Sequence, residues 1–121
     1  MNRRRFTFCH RVQRCAFSAA LVAALLLSGA STGSGAEKPV VHTVVIEGTS
    51  FHPQSLTVRR GDTVVWKNKD FFPHTVTARN LQFDSHILAA GRSWKYTAKE
   101  RGEFPYVCTL HPTMTGLLIV K

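Results

Sequence analysis

From Val40 onward, apolar side chains recur at every second position in short runs that stop at glycine, proline or aspartate, a pattern of half-buried strands. Val40 to Glu47 is rich in β-branched residues and ends at Gly48. Leu56-Thr57-Val58 runs into the turn signal Arg60-Gly61-Asp62, and Thr63 to Lys67 sets Val64 and Trp66 between polar neighbours over part of its length. His74 to Ala78 reads as a strand, Arg79 to Gly91 as a loop with a short extended piece around Leu81 to Phe83, and Arg92 to Thr97 as a strand with Trp94 and Tyr96 inward. Gly102 to Cys108 and Gly116 to Lys121 complete the set. Pro105 cannot donate to a ladder, so its strand must bulge or face solvent there, with Phe104 and Tyr106 on one side. No amphipathic helix longer than a turn fits after residue 36. Seven to eight short strands predict an all-β domain, an antiparallel Greek-key β-sandwich over residues 37–121. That length supports one two-sheet core, modestly, without disulfides.

The first 36 residues follow a different pattern. Arg3, Arg4, Arg5, Arg11 and Arg14 occur with no acid, Ala16 to Leu27 is almost wholly apolar, and Ser28-Gly29-Ala30 and Ser34-Gly35-Ala36 offer small residues at cleavage spacing. The expectation is a signal peptide and short linker over 1–36, cleaved after Ala30 or Ala36, which implies a periplasmic or otherwise exported domain. The apolar run is shorter than the roughly 20 residues a bilayer span needs, so no stable membrane insertion of the mature domain is expected. Asn2-Arg3-Arg4-Arg5-Phe6 also resembles a twin-arginine signal; the general secretory route is favoured.

Removing that leader changes the charge and the sulfur chemistry. The full chain carries a formal +9, but five of its sixteen Lys and Arg lie in the leader, leaving eleven against seven Asp and Glu, a net +4. These cations come singly or in pairs, without the basic stripe and interleaved aromatics of a nucleic-acid groove, so nucleic acid is not an expected partner. Mild basicity instead sets a docking sign towards acidic partners or an anionic surface. Cys9 and Cys15 leave with the leader, and so does Met1, so Cys108 and Met114 are the only sulfur residues of the remaining domain and lie within one seven-residue stretch. A lone thiol in an oxidising compartment is a liability unless a metal holds it as thiolate.

That stretch, Cys108-Thr109-Leu110-His111-Pro112-Thr113-Met114, offers thiolate, imidazole and thioether three residues apart on a turn between two strands. A second histidine is expected from Pro73-His74-Thr75-Val76, where the proline fixes the approach. Two histidines, one cysteine and a weak axial methionine are the donors of a type 1 (blue) copper centre. Zinc is the chemical rival for the first three, but structural zinc sites rarely recruit methionine. His42 and His52 fit strand surfaces or sheet ends better than a metal. His86 sits in a loop and is open to either a docking-face role or adventitious metal binding. Trp66, Trp94, Phe51 and Tyr96 are most simply core residues.

Phe51-His52-Pro53, the run Gly61 to Asn68, Pro73 to Val76, Phe83-Asp84-Ser85 and Cys108 to Gly116 together resemble the small blue copper proteins, the cupredoxins, in their amicyanin and plastocyanin branch. The short Cys-x-x-His-x-x-Met loop with a proline directly after the histidine is most similar to the amicyanin form. The resemblance implies a cupredoxin fold, one copper ion, His74, Cys108 and His111 as equatorial ligands, and Met114 as the axial one. It further implies that Asn68 and Thr109 tie the two ligand loops together and that the Thr75 N–H points at the Cys108 sulfur. Amicyanin has proline where this chain has Leu110, so a second N–H bond to the thiolate, from Leu110, is expected to raise the reduction potential.

The function expected on this basis is a one-electron carrier cycling Cu(II)/Cu(I), a monomer passing electrons between redox proteins (a dehydrogenase, cytochrome or oxidase) by transient docking at the His111 edge. That edge would emerge through an apolar patch of Phe71, Phe72, Pro73, Leu110 and Pro112. No nucleophile with a base and an orienting group stands out, so an enzyme is not expected. The alternatives are a periplasmic copper-binding or delivery protein without an electron-transfer role, and a dedicated subunit of a larger oxidoreductase.

Overall fold

The computed structural model describes residues 35–121. Residues 1–34, with most of the expected leader and both of its cysteines, lie outside the described residues. Eight strands follow: β1 Val41–Glu47, β2 Ser50–His52, β3 Ser55–Val58, β4 Thr63–Asn68, β5 Thr77–Ala78, β6 Ser93–Thr97, β7 Gly102–Cys108 and β8 His111–Val120. They form two four-stranded sheets, ordered β2-β1-β4-β6 and β3-β8-β7-β5. The all-β sandwich is as expected from the alternation, and β4 shows why: Val64, Trp66 and Asn68 point inward while Thr63, Val65 and Lys67 point out.

Each sheet also contains one parallel pair, β1 with β4 and β3 with β8, so the pairing is mixed and not wholly antiparallel. Between β1 and β4 the chain turns back as β2 and crosses to the second sheet as β3, a connection long enough to bring β4 alongside β1 in the same direction. Three boundaries also differ from the sequence reading. The last strand begins at His111, not Gly116, because Met114 and Gly116 continue the inward alternation of Leu118 and Val120 across the polar threonines. The extended piece of the loop after β5 runs through Asp84 and Leu88, which bridge Thr77 and His74. Leu81 lies instead in a tight turn with φ of 60°, its N–H donating to the Ala78 carbonyl. Of the strand expected over His74 to Ala78, only Thr77–Ala78 joins a ladder; His74 makes an isolated bridge.

Trp66 is fully buried between the sheets and meets Phe83, Trp94 and Tyr106 at ring-centroid separations of 5.8, 5.5 and 5.6 Å. Trp94 and Tyr96 face this cluster but stay partly exposed on edge strand β6. Tyr106 lies flat over Gly116, where a Cβ would stand 2.3 Å from its ring Cζ, so β7 and β8 can pair here only through glycine. Pro105 is exposed, as expected. Its carbonyl accepts the Arg79 N–H just past the end of β5, so its missing donor faces the side where that two-residue strand has stopped.

Candidate metal centre

At one end of the sandwich β7 turns into β8 through Thr109 and Leu110 alone, with Cys108 and His111 as the closing pair and a bulge between Val107 and Cys108. A two-residue turn leaves cysteine and histidine directly across from one another. The Cys108 Sγ lies 3.6 Å from His111 Nδ1. Beyond β4, the loop through Pro73 delivers His74, whose backbone exchanges two hydrogen bonds with Leu88, N–H to carbonyl at 3.1 and 2.8 Å. That fixed backbone puts His74 Nδ1 3.8 Å from the same sulfur.

The three donor atoms all lie within 4.8 Å of one another, His74 and Cys108 fully buried and His111 partly exposed. Metal–nitrogen and metal–sulfur bonds of about 2.0 and 2.3 Å at ~120° place their donors ~3.7 Å apart, so the spacing fits one shared ion. Met114 is buried on the inward side of β8, three residues from His111, and supplies the thioether in the same end of the fold.

The surrounding hydrogen bonds orient these donors. Thr75 N–H donates to the Cys108 sulfur at 3.3 Å, as the sequence resemblance implied. The Thr75 hydroxyl accepts the Thr109 N–H at 2.8 Å and lies 3.1 Å from the Thr109 hydroxyl, stitching the two ligand segments together. Asn68 was expected to share that task with Thr109 but makes a different clamp. Its side-chain amide donates to the carbonyls of Phe72 and Leu88 at 2.8 and 3.0 Å, and its Oδ1 accepts the Asp70 N–H at 2.9 Å. No hydrogen bond from Leu110 N–H to the sulfur forms among the described residues; the sulfur's backbone bond comes from Thr75, on the segment that carries His74.

Asp70 was missed in the sequence. Its Oδ2 lies 2.8 Å from His74 Nε2, and the carboxylate also accepts the N–H groups of Gly48 and Thr49 at 2.7 and 3.0 Å. Burial pushes the Asp70 carboxyl up, but the bonds from Thr49 and Gly48, then from His74, outweigh it and hold the group below its ordinary value. An ionised Asp70 accepts a hydrogen bond from Nε2–H and so leaves the Nδ1 lone pair of His74 facing the sulfur, the tautomer a metal requires. The only hint in the sequence is a carboxylate four residues before the histidine.

The other described histidines stay apart. His42 Nε2 contacts Asp62 Oδ2 at 2.9 Å, His52 Nε2 faces the Glu47 carbonyl at 3.2 Å, and His86 is exposed beside Asp84 at 3.5 Å. Phe71, Phe72 and Leu110 are 94, 64 and 45 % exposed, and Pro73 and Pro112 are exposed as well. Among the described residues, no helix is long and apolar enough to cross a membrane.

A two-sheet sandwich carrying cysteine, two histidines and methionine at one end defines a mononuclear copper protein of the cupredoxin type, with His74, Cys108, His111 and Met114 positioned as the copper site. The chain matches the cupredoxin-like domain family over residues 17–120 and belongs to that family. It is 30% identical over 94 residues to amicyanin of Paracoccus versutus, covering 73% of this chain and 71% of the relative. Plastocyanin of Tetradesmus obliquus is 36% identical over 86 residues, 59% of this chain and 58% of that one. Among solved structures, an amicyanin variant with Cu(I) superposes with a TM-score of 0.63 at 29% identity, over 67% of this chain and 82% of that chain. A purple cupredoxin from Nitrosopumilus maritimus superposes with a TM-score of 0.62 at 29% identity, over 66% of this chain and 99% of that one.

Proposed function

We propose that this chain is a one-electron carrier and not an enzyme, acting as an exported monomer after loss of a leader within residues 1–36. His74, Cys108 and His111 would hold one copper ion through Nδ1, Sγ and Nδ1, with the buried Met114 offering its thioether as a weaker fourth donor. The observation that carries this reading is the convergence of both imidazoles on one buried sulfur that already accepts the Thr75 N–H. Bound copper would supply a single-electron couple, Cu(II)/Cu(I).

The protein's part is to keep the donors still. The His74 backbone is bridged to Leu88 and its ring is held by Asp70, while Cys108 and His111 are locked across a two-residue turn. Donors that cannot relax when the charge changes give a small reorganisation and hence fast transfer. Electrons would pass by way of His111, the one partly exposed donor, to a partner seated on Phe71, Phe72, Pro73, Leu110 and Pro112. A dehydrogenase, cytochrome or oxidase would supply or accept them, and a small apolar contact suits such weak, fast encounters.

Voltammetry of the copper-loaded domain, paired with metal exchange to a chelator, tests the reading. Reversible one-electron waves with copper retained support the carrier. A colourless Cu(I) protein that yields its ion readily and gives no reversible wave would make it a copper-delivery protein instead.

A further inference from the structure

We propose that the outer face of the β2-β1-β4-β6 sheet, beside the His111 rim, is an electrostatic docking surface for a redox protein with clustered carboxylates. This deepens the carrier reading and rests on it. Lys67 on β4 lies opposite Ser93, and Lys95 on β6 opposite Val65, so the two lysines are diagonal neighbours on one outward face. Diagonal pairs of this kind stand roughly 7–8 Å apart at Cα, close enough to repel. Lys69 extends the row towards the metal end, its N–H continuing the ladder onto the Ile46 carbonyl at 2.9 Å. Arg92 stands just before β6, its carbonyl accepting the Asn68 N–H at 2.9 Å; it shares the phase of Trp94, so it borders this face at its rim and is not part of the row. All four side chains are exposed.

None of the four has an acidic partner within ion-pair distance among the described residues. The pairs found there are His42–Asp62, Arg59–Glu37, His74–Asp70 and His86–Asp84. Two carboxylates lie beside the row, Glu47 at the end of β1, next in register to Lys69, and Asp70, which is taken up by Gly48, Thr49 and His74, leaving four cations against two acids. At the opposite end Arg59 pairs with Glu37, and Lys99 and Arg101 flank Glu100 in the chain.

Uncompensated like charges on one sheet face do not help the fold. They do raise encounter rates with an oppositely charged partner and fix its orientation. The placement suits that use. The chain passes from Lys69 through Asp70 directly to exposed Phe71 and Phe72, so the cationic face and the apolar rim are contiguous. Carboxylates drawn to the lysines would set the partner's apolar contact over the donor end.

The test uses the copper-loaded, reduced domain and two double charge reversals of equal net effect, Lys67→Glu with Lys95→Glu and, as control, Lys99→Glu with Arg101→Glu. Hexacyanochromate(III), a redox-inert paramagnetic trianion standing in for clustered carboxylates, should broaden amide signals around Lys67, Lys69, Arg92 and Lys95 in the parent protein and the control but not in the face variant. Oxidation by hexacyanoferrate(III), which takes one electron from Cu(I) and becomes hexacyanoferrate(II), should slow about tenfold at low salt in the face variant. The control should change less than about twofold. With cationic tris(phenanthroline)cobalt(III) the face variant should speed up. Equal slowing in both variants, broadening centred elsewhere, or association with phosphatidylglycerol vesicles without localised broadening overturns the proposal. If the domain has no reversible one-electron couple, the carrier reading fails and this docking role with it; a couple with a non-localised probe sinks the docking surface alone.

Discussion

Replacing Asp70 by asparagine probes how the buried histidine is held, because the change keeps shape and removes charge. In the native protein one carboxylate serves three donors: Gly48 N–H at 2.7 Å on Oδ1, and Thr49 N–H at 3.0 Å and His74 Nε2 at 2.8 Å on Oδ2. An amide has one oxygen. If that oxygen faces Thr49 and His74, its NH₂ points at the Gly48 N–H, donor against donor. If it faces Gly48, the NH₂ points at Nε2 and drives the His74 proton onto Nδ1, the atom facing the Cys108 sulfur. Either outcome loses a charge-assisted hydrogen bond worth about 1.5–3 kcal/mol. With about 1.4 kcal/mol per decade, copper binding should weaken roughly ten- to hundredfold. Competition with a chelator of known affinity measures the loss, and nitrogen-15 NMR of the apo protein reads the His74 tautomer directly. An affinity within about twofold of the parent, with the Nδ1 lone pair still free, would refute the role given to Asp70.

Three further outcomes follow from the same contacts. Gly116→Ala forces a Cβ to within 2.3 Å of the Tyr106 ring and should destabilise the apo domain by about 1–3 kcal/mol, lowering its melting temperature by at least about 5 °C in calorimetry. Thr75→Val leaves the Thr109 N–H without its acceptor and should cost about 1 kcal/mol in urea unfolding, with Thr75→Ser restoring most of it. Asp62 is held down to about 2 from an ordinary 3.8 by the Val40 N–H, then the His42 side chain, then the Arg59 N–H. A lowered carboxyl stabilises the fold above its ordinary value and loses that contribution as pH falls from 3.8 towards about 2, so acid unfolding of Asp62→Asn should depend less on pH across that window.

What could be read from the sequence was local. The donors Cys108, His111 and Met114 share one short stretch, and Pro73-His74 has its own turn grammar, so they stand out without a fold. Period-two alternation likewise exposes β1, β4 and β7. What stayed hidden depends on chain segments meeting across the sandwich. The parallel β1–β4 and β3–β8 pairs follow from crossovers that no window of sequence contains. Asp70 is an ordinary loop carboxylate until Gly48, Thr49 and His74 converge on it. The start of β8 was obscured because Thr113 and Thr115 make Met114 look like part of a loop when it is the first inward residue of the strand. The thiolate bond expected from Leu110 is a matter of turn geometry, which residue type alone does not determine.

The account stands most directly on the visible absorption spectrum of the domain, residues 37–121, loaded with one equivalent of Cu(II). An intense thiolate-to-copper band in the red, saturating at one copper per chain and absent in Cys108→Ser, is the predicted result. A pale spectrum without that band, or one unchanged by Cys108→Ser, would contradict the assignment of Cys108, His74 and His111 to a single blue copper site.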